Sequence, residues 1–528
     1  MLNRDEMMSR LRGRGEPFDL LVIGGGATGL GIAVDASARG YAAALIERED
    51  FGKGTSSRST KLSHGGVRYL AQGNVSLVIE ALRERGRMYR NAPHLVHDLK
   101  FIVPHYAWWE PPWYGVGLKV YDMLAGRYGF GRSRLLSRRE TVEAIPTVRG
   151  EGLRGGVLYY DGQFDDARLL VNLAQTAEQH GGVLANYCEA TALVFDESGA
   201  VVGAEAFDAE AGDRFEVRAR AVVNATGPFA DGVRRLAEPG AAPMISPSQG
   251  VHLVLPREFL PSDAAIMVPR TRDGRVMFAI PWRGRALLGT TDTPIEASVS
   301  EPIARAEEVA FILETAGECM NRAPTRADVL SVFTGIRPLV RPGDEKETAS
   351  ISRDHTIHIG KAGLVTIAGG KWTTYRKMAE DCVDQAAVLA GLDLRPCPTK
   401  DLAIHGSPGD AAPPPRDKPW AEYGVDAGAI QRMIDADTGL GEPLDARLPL
   451  TGAHVRWAAE REMARTVEDV LSRRTRCLLL DAGAAVEAAP SVADILARTL
   501  GRTEAWRREQ VEAFSALAAN YRLDVAAG

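Results

Sequence analysis

The pattern of apolar and polar positions near the start of the chain predicts a β–α–β unit. Residues 20–23 form a four-residue apolar run, which is too short for a helix and typical of a buried parallel strand. A helical pattern follows from Thr28 to about Arg39, and a second strand is predicted at residues 42–46, with Glu47 at its end. This order predicts part of a parallel α/β sheet.

The loop between the first strand and its helix fits the pattern G-x-G-x-x-G through Gly24, Gly26 and Gly29. The first glycine allows a tight turn, the second lets the backbone approach a pyrophosphate, and the third allows close packing of helix on strand. The helix N-terminus, which includes Ala27, offers N–H groups to phosphates. Glu47 is placed to accept hydrogen bonds from ribose hydroxyls. The pattern predicts a dinucleotide site and leaves NAD and FAD open.

A second strand–glycine–helix junction is predicted at residues 363–391. An apolar strand ends in a Gly369-Gly370 turn, and a helix follows with Thr373 at its start. Such a junction provides a second set of helix-end N–H groups, which in flavoproteins faces the isoalloxazine end of the cofactor. This second junction favours FAD over NAD.

The remaining pattern predicts two further parts of the molecule. A helix at 165–180, a small β meander at 183–217 and a buried strand within 219–231, ending near Thr226-Gly227, complete the pattern of a two-dinucleotide-binding-domain flavoprotein. A separate, mostly antiparallel sheet is predicted from strand-like segments at 250–256, 276–282 and 286–292.

After a Pro/Gly-rich linker at 406–418, the chain is predicted to be helical, for example at 454–472 and 504–523. The charge-dense stretch 456–476 is interpreted as a solvated helical surface. We therefore expect three domains, with these boundaries: an FAD-binding domain from residues 17–85, 155–235 and 345–395; a substrate-binding cap from residues 86–154 and 236–344; and a helical C-terminal domain from residues 406–528.

Composition excludes several classes of function. A net charge of −6 argues against nucleic acid as a general partner. The five cysteines show no CxxC spacing, which argues against a metal site and suits a reducing cytoplasm. The N-terminus has no secretory signal pattern, and no apolar run approaches the ~18 residues needed to span a membrane.

Two segments between the predicted elements have an unusual composition. Residues 51–74 are rich in Gly, Ser and Thr and are expected to lie beside the cofactor; the alternative is a flexible surface loop. The candidate cofactor ligands in this segment are Thr55, Ser56, Ser59, Lys61 and His64. Residues 104–130 are aromatic and form either a packed cluster between domains or a membrane-surface contact.

A family resemblance adds to this reading. The chain contains, in family order, the motifs VIGGGATGLGIA, TSSRSTKLSHGGVRYL, VNATGP, GVHLVLP, IPWRGRALLGTTD, GIRPLV, SRDHTI, GGKWTTYRKMAE and VEDVLSRRTR. In these motifs it resembles the FAD-dependent glycerol-3-phosphate dehydrogenases of the aerobic, quinone-linked type. The resemblance implies a fold like glycine oxidase and D-amino-acid oxidase, with an α+β substrate cap and an α-helical C-terminal domain.

The resemblance also implies the reaction and its partners. The substrate is expected to be sn-glycerol 3-phosphate, which is oxidised to dihydroxyacetone phosphate by hydride transfer from C2 to FAD. Electrons are expected to pass on to ubiquinone or menaquinone in the membrane. Family members are peripheral membrane proteins and often homodimers, so we expect a cytoplasmic protein at the inner face of the plasma membrane.

The resemblance assigns candidate substrate residues. Arg68, Arg337 and Arg353 match the family's positions, and an arginine fork suits a phosphate dianion. Tyr69 can donate a further hydrogen bond. The candidates for the base, in order, are His252, Arg337 acting on the alkoxide, and His64.

Lys371 is a candidate for stabilising the developing alkoxide or the reduced flavin. Three positions depart from the family pattern: Thr28 stands where Asn is frequent, Gln249 where Lys is common, and Trp372 where many members have Leu.

Three alternatives stay open at this point. A glycerol-3-phosphate oxidase would pass electrons to O2 on the same fold. Another amine or 2-hydroxy-acid oxidoreductase of the superfamily would not need three phosphate-type arginines. A non-catalytic FAD-binding or assembly protein would not need the candidate catalytic residues.

Overall fold

The computed structural model describes residues 2–66, 70, 74–107, 110–341, 355–409, 411, 413, 415 and 420–523, with the side chains of residues 110–114 and 116 left out. The described strands are β1 (Phe18–Ile23), β2 (Ala43–Ile46), β3 (Leu62–Ser63), β4 (Val96–His105), β5 (Arg134–Ser137), β6 (Gly155–Phe164), β7 (Val183–Ala185), β8 (Cys188–Phe195), β9 (Val201–Asp208), β10 (Asp213–Asn224), β11 (Ile245–Pro256), β12 (Ala264–Val268), β13 (Met277–Trp282), β14 (Arg285–Gly289), β15 (Thr293–Pro294), β16 (Ser331–Val340), β17 (His355–Ile359) and β18 (Val365–Gly369).

The described α-helices span Arg4–Arg12, Ala27–Ala38, Val75–Asn91, Glu110–Ala125, Arg138–Ala144, Asp166–Gln179, Ala230–Ala237, Ala306–Cys319, Tyr375–Leu389, Ala427–Ala436, Gly452–Arg461, Cys477–Leu480, Ala482–Leu500 and Glu504–Ala519. Among the described helices, none has the length and apolar composition needed to cross a membrane.

The first sheet has eight strands in the order β17-β18-β10-β1-β2-β7, with β9 paired to the long strand β10 and β8 paired to β9. Strands β18, β10, β1, β2 and β7 run parallel. The helix Ala27–Ala38 is buried over nearly all of its surface, because it packs between this sheet and its helical neighbours. The parallel strands therefore all end at one edge of the sheet, beside the start of this helix.

The second sheet has ten strands in the order β15-β11-β14-β13-β12-β4-β6-β3, with β16 paired to β11 and β5 paired to β6. It is mostly antiparallel, with β12 and β4 as a parallel pair. The strand β6 lies here, paired along its whole length with β4. Residues 155–164, which the predicted FAD-domain segment 155–235 includes, therefore belong to the second sheet.

The C-terminal part departs from its predicted pattern. The helix predicted at 454–472 ends at Arg461, and Met463 has a positive φ of 54°, which an α-helix does not accommodate. Residues 469–474 then form a separate turn of π-helix. The interpretation of 456–476 as a solvated surface is wrong, since most of its acidic and basic side chains in the second half are buried against other parts of the chain.

The aromatic segment 104–130 lies partly outside the described residues, since Trp108 and Trp109 are not described. The helix Glu110–Ala125 contains Tyr121, which is buried and donates a hydrogen bond to Asp161 Oδ2 at 2.9 Å. The backbone N–H of Gly65 donates to the Tyr121 hydroxyl at 2.9 Å. This part of the segment therefore packs inside the protein.

Candidate functional site

A cavity lies at the carboxyl ends of the parallel strands β1, β2, β10 and β18. In open α/β sheets, ligands bind in the crevice at this end of the strands. The predicted cofactor residues that line it are Gly24, Gly26, Ala27, Thr28, Glu47, Thr55, Ser56, Thr226, Gly227, Gly370 and Lys371. The two glycine junctions, more than 300 residues apart in sequence, thus share one cavity.

The first glycine junction is shaped by close backbone approach. Gly24 has φ +111°, and a Cβ there would lie 2.7 Å from the carbonyl oxygen of Ala225 on the neighbouring strand. A Cβ on Gly29 would collide with the carbonyl oxygen of Gly24. Gly29 does not line the cavity; it allows the helix to start directly against the loop.

The segment that follows β2 covers the first junction. The Ala27 N–H donates to Ser56 Oγ at 3.0 Å, and the Gly52 N–H donates to the Gly25 carbonyl at 2.9 Å. Thr55 Oγ1 donates to the carbonyl of Ile336 on β16 at 2.5 Å. The wall of the cavity is therefore built from both sheets.

Glu47 lies on the cavity wall, and its carboxylate is engaged by the backbone. Its Oε2 accepts the Gly25 N–H at 2.6 Å, and its Oε1 accepts the Glu49 N–H at 2.8 Å. Burial raises the pKa of Glu47. Each carboxylate oxygen has capacity for a second hydrogen bond, so the predicted contact with ribose hydroxyls stays a prediction.

The second junction has left-handed backbone at both glycines, with φ +77° at Gly369 and +74° at Gly370. A Cβ on Gly370 would collide with the thioether of Met378. Trp372 links the two junctions, because its Nε1–H donates to the Ser56 carbonyl at 2.8 Å. The large side chain at position 372 thus has a defined structural contact.

Two predicted cofactor ligands lie behind the cavity wall. Lys61 is fully buried, and its Nζ donates to the Ser57 carbonyl at 2.6 Å and to Asp166 Oδ2 at 2.7 Å. Ser59 Oγ donates to the same carboxylate oxygen at 2.7 Å. A buried amino group needs hydrogen-bond partners, and Lys61 has them in Asp166 and the Ser57 carbonyl. Its side chain therefore contacts Asp166 and does not line the cavity.

His64 and Thr373 contact each other through the backbone of His64. The His64 N–H donates to Thr373 Oγ1 at 3.2 Å, and Thr373 Oγ1 donates to the His64 carbonyl at 3.4 Å. Neither residue lines the cavity described above. The predicted substrate residues Arg68, Tyr69 and Arg353 lie outside the described residues.

His252 and Arg337 share one face of the pair β11–β16. The register places His252 opposite Phe333, Gly250 opposite Gly335, and Ser248 opposite Arg337. The glycine pair between them leaves space above the sheet, and the Arg337 guanidinium lies there: a Cβ on Gly250 would lie 2.7 Å from Nη1. The two candidate catalytic side chains are therefore brought together by alternation along two strands.

Arg337 is oriented by the turn after β14. Its Nη1 donates to Asp292 Oδ1 at 3.2 Å, and its Nη2 donates to Thr290 Oγ1 and to the Thr291 carbonyl, both at 3.0 Å. The side chain keeps 25% exposure, and the next residue, Pro338, lines the cavity. The guanidinium is therefore held in place and still reachable.

His252 is buried and stacked on Phe333, with 4.9 Å between ring centroids. Its Nε2 is hydrogen-bonded with Thr60 Oγ1 at 2.9 Å. Burial, followed by the positive charges of Lys61 and Arg337, lowers the pKa of His252 well below its usual value. The imidazole is therefore neutral at neutral pH and able to accept a proton.

Several residues that line the cavity are not predicted from the sequence pattern. They are Arg48, Glu49, Lys53, Ala190, Phe229, Ser300, Tyr375 and Met378. Lys53 lies in the donor-rich segment 51–74, so its composition was a usable signal. Phe229 and Ser300 follow no local pattern, because they reach the cavity only through the packing of the two sheets.

The residues around the cavity fit FAD. Two helix ends with glycine turns provide N–H groups and close backbone approach at both ends of one cavity, as a dinucleotide with two phosphates and a flavin requires. No cluster of three or more His, Cys, Asp or Glu residues suited to a metal ion is present among the residues described.

The families and relatives that match this chain agree with an FAD site. Residues 19–376 match the family model described as FAD dependent oxidoreductase, and residues 366–507 match the C-terminal domain of alpha-glycerophosphate oxidase. The chain is 40% identical over 542 residues to a Mus musculus protein named glycerol-3-phosphate dehydrogenase, mitochondrial, covering 97% of this chain and 74% of the relative. The chain belongs to the FAD-dependent glycerol-3-phosphate dehydrogenase family. Its cofactor is FAD.

Solved structures confirm the predicted fold class for this family member. The glycerol-3-phosphate dehydrogenase from Bacillus halodurans, complexed with FAD, superposes with a TM-score of 0.77 and 29% identity, covering 98% of this chain and 97% of that chain. Glycine oxidase from Geobacillus kaustophilus matches 72% of this chain and 96% of that chain with a TM-score of 0.53 and 20% identity, which shows the shared fold.

Proposed function

We propose that this chain oxidises sn-glycerol 3-phosphate to dihydroxyacetone phosphate by hydride transfer from C2 to FAD, and passes the electrons to ubiquinone or menaquinone. The main support is the 40% identity, over 97% of the chain, with relatives named glycerol-3-phosphate dehydrogenase. The geometry of His252 and Arg337 beside the cavity wall agrees with that substrate, which has one phosphate and one reacting alcohol.

Arg337 is proposed as a phosphate ligand. A guanidinium presents several N–H donors in a plane, and here some of them are fixed by Asp292 and Thr290 while a quarter of the side chain is exposed. Fixed orientation lowers the entropy lost when the phosphate binds. Arg68, Tyr69 and Arg353 are proposed as its partners from the family motifs alone.

His252 is proposed as the base that takes the C2 hydroxyl proton. FAD, when bound, supplies the acceptor for the two electrons. His252 is held by Thr60 and Phe333, and its neutral imidazole has the protonation state that a base requires. Arg337 acting on the alkoxide is the second candidate for this step, and His64 is the third.

Lys371, on the cavity wall at the second junction, is proposed to stabilise the negative charge that develops during the reaction. The protein's contribution is therefore a cation on the cavity wall, a guanidinium held by Asp292 and Thr290, and a neutral histidine. Preorganised groups of this kind need little rearrangement as charge develops.

Product analysis tests the proposal. The holoenzyme is turned over with sn-glycerol 3-phosphate and an artificial electron acceptor, and dihydroxyacetone phosphate is measured enzymatically. We expect one dihydroxyacetone phosphate for every two electrons transferred. Acceptor reduction without this product, or no turnover with a fully FAD-loaded protein, would refute the assignment.

The electron acceptor requires its own test. The match of residues 366–507 to the C-terminal domain of alpha-glycerophosphate oxidase keeps an oxidase that uses O2 as the second candidate. Stopped-flow mixing of the reduced enzyme with air-saturated buffer, and separately with a short-chain quinone, separates the two. The proposal expects much faster reoxidation by the quinone; faster reoxidation by O2 supports the oxidase.

The other candidates predict different substrates. An amine or 2-hydroxy-acid oxidoreductase would reduce its flavin with a phosphate-free substrate. A non-catalytic FAD-binding protein would reduce it with none. Glycerol and lactate are therefore the matched control substrates for every experiment with glycerol 3-phosphate.

The use of a membrane quinone would require the protein to reach the bilayer. Because ubiquinone and menaquinone reside in the bilayer, we propose that the protein binds the inner face of the plasma membrane from the cytoplasm, and that it does so as a homodimer. Co-sedimentation with quinone-containing vesicles and light scattering of the detergent-free protein test these two statements. A monomer that stays in the supernatant contradicts both.

A further inference from the structure

The buried charges in the C-terminal domain contact the segment that builds the cavity wall. We use "site segment" for residues 50–61, of which Gly52, Lys53, Gly54, Thr55 and Ser56 line the cavity. We use "arginine turn" for residues 468–476 of the C-terminal domain. The contacts between them are made at three points.

The first contact is at Asp50, the first residue of the site segment. Arg473 Nε donates to Asp50 Oδ2 at 2.5 Å, and Arg474 donates through Nη1 to Oδ2 at 2.6 Å and through Nη2 to Oδ1 at 2.9 Å. Asp50 and Arg474 are both fully buried. Burial raises the pKa of Asp50, but the charges of Arg474 and Arg473 outweigh it and hold that pKa well below its usual value.

The second contact is at the far end of the site segment. Arg476 Nη2 donates to the Ser57 carbonyl at 2.8 Å and to Asp166 Oδ1 at 2.9 Å. Lys61 donates to the same carbonyl and to the other oxygen of Asp166. Lys61 and Arg476, from distant parts of the chain, are thus joined by one carboxylate and one carbonyl. Thr60, next to Lys61 in sequence, is hydrogen-bonded with His252.

The third contact is in the middle, at the cavity itself. Lys53 Nζ donates to both carboxylate oxygens of Glu468, each at 2.6 Å, and forms an ion pair with Glu301 at 2.8 Å. Glu468 also accepts Arg473 Nη1 at 2.6 Å. One carboxylate of the C-terminal domain therefore connects a cavity-lining lysine with an arginine that holds Asp50.

Such contacts are costly to break. A buried charge without a partner loses several kcal/mol relative to water, so each group depends on the other side for its partner. Within the site segment, the charge of Asp50 is balanced by the arginine turn, and Lys53 is shared between Glu468 and Glu301. Arg58 pairs with Glu301, and Lys61 pairs with Asp166. The position of the segment is therefore coupled to the docking of the C-terminal domain.

We propose that the C-terminal domain is a positioning part of the FAD site, in which the arginine turn holds the site segment in the conformation that lines the cofactor cavity. Glu468 is the central positioning residue, and it acts through Lys53 and Arg473. The proposal concerns cofactor binding and is independent of which substrate is oxidised.

The test compares Glu468→Gln with Glu460→Gln. Glu468→Gln keeps the size of the side chain and removes the charge that holds Lys53 and Arg473. Glu460 lies in the same domain and is matched in chemistry, but it pairs with Arg456 on a helix surface. FAD release is followed from the diluted holoenzyme by the rise in flavin fluorescence, and the FAD dissociation constant is measured by titration of the apoprotein.

We expect the FAD dissociation constant to rise about tenfold in Glu468→Gln and to be unchanged in Glu460→Gln. A general loss of stability is separated by melting the apo and holo forms. The stabilisation by FAD, measured as the difference between their Tm values at one FAD concentration, shrinks if the residue positions the site. An equal fall in both Tm values with unchanged FAD affinity overturns the proposal.

A double-mutant cycle tests the route of the effect. Lys53→Met, alone and with Glu468→Gln, is measured in the same FAD titration. If Glu468 acts through Lys53, the two changes in FAD binding free energy are less than additive. Full additivity contradicts the route through Lys53.

Discussion

Arg337 is the candidate substrate residue that the structure describes most completely. If it binds the phosphate, Arg337→Ala removes at least one charge-assisted hydrogen bond, and KM for glycerol 3-phosphate is expected to rise roughly 10- to 100-fold. FAD content is expected to stay unchanged. The measurement is steady-state kinetics with a parallel flavin absorbance reading. Arg257→Ala, at an exposed ion pair just after β11, is the control; equal KM values in the two variants would contradict the phosphate contact.

The role proposed for His252 is tested by the pH dependence of flavin reduction. A histidine with a lowered pKa stays neutral as the pH falls through 6.5, so a base at this position stays active there. We expect the rate of flavin reduction to be flat from pH 8 to below 6.5. The rate is measured by stopped flow at saturating substrate, since the substrate phosphate itself titrates near pH ~6. A half-maximal rate at pH 6.5 would show a base with an ordinary pKa and contradict the lowered pKa of His252.

At the scale of elements, the first glycine junction depends on the contact between Gly29 and Gly24. In Gly29→Ala the new methyl group meets the Gly24 carbonyl oxygen, and overpacking of this kind costs about 1–3 kcal/mol. We expect weaker FAD binding and a lower Tm. Gly428→Ala is the control, because a Cβ at that helical position would make only an ordinary van der Waals contact with Arg432 Nη1 at 3.6 Å. Retention of wild-type FAD affinity in Gly29→Ala would mean that the helix start is not held as described.

Some elements have a local sequence signal and are predicted correctly, whereas others depend on contacts with distant parts of the chain. The unit β1–helix–β2 was predicted within one or two residues, because its apolar runs and glycines are local signals. The predicted boundaries place residues 155–164 in the FAD-binding domain, whereas the structure pairs them, as β6, with β4 of the second sheet, and pairing between distant segments has no local signal. The helix predicted through 472 fails at Met463, since a helical charge pattern does not reveal a left-handed residue.

The site residues likewise divide into those with a local sequence signal and those whose partners lie far away in the chain. Gly24, Gly26 and Gly370 were found because a tight turn or close backbone approach requires glycine. Lys61 is predicted as a cofactor ligand because a cation in a Ser/Thr-rich segment resembles a ligand donor, whereas the structure pairs it with Asp166, which no local pattern indicates. The charge pattern predicts a solvated surface for Arg473, Arg474 and Arg476, because the acids that pair with all three, Asp50 and Asp166, lie hundreds of residues away.

At the scale of the whole molecule, two partly buried histidines predict acid sensitivity. Burial lowers the pKa of His94 and of His454 to about 4. Between about pH 6.5 and 4 the unfolded chain therefore binds protons that the folded chain does not, and the free energy of unfolding falls as the pH is lowered.

We expect the Tm of the FAD-loaded protein to drop steadily across this window. His454→Gln, which cannot titrate, is expected to show a smaller drop than the wild-type chain. Differential scanning calorimetry at constant ionic strength measures both. A Tm that is flat from pH 6.5 to 4.5 contradicts the neutral burial of these histidines.

The central claim is that this molecule uses FAD to oxidise glycerol 3-phosphate, and anaerobic reduction tests it most directly. The FAD-loaded protein is mixed with sn-glycerol 3-phosphate without oxygen, and the visible flavin absorbance is followed, with glycerol and lactate as matched controls. We predict rapid loss of the yellow colour with glycerol 3-phosphate and none on that time scale with the controls. Flavin that stays oxidised with glycerol 3-phosphate, or that is bleached equally well by a phosphate-free substrate, would contradict the account.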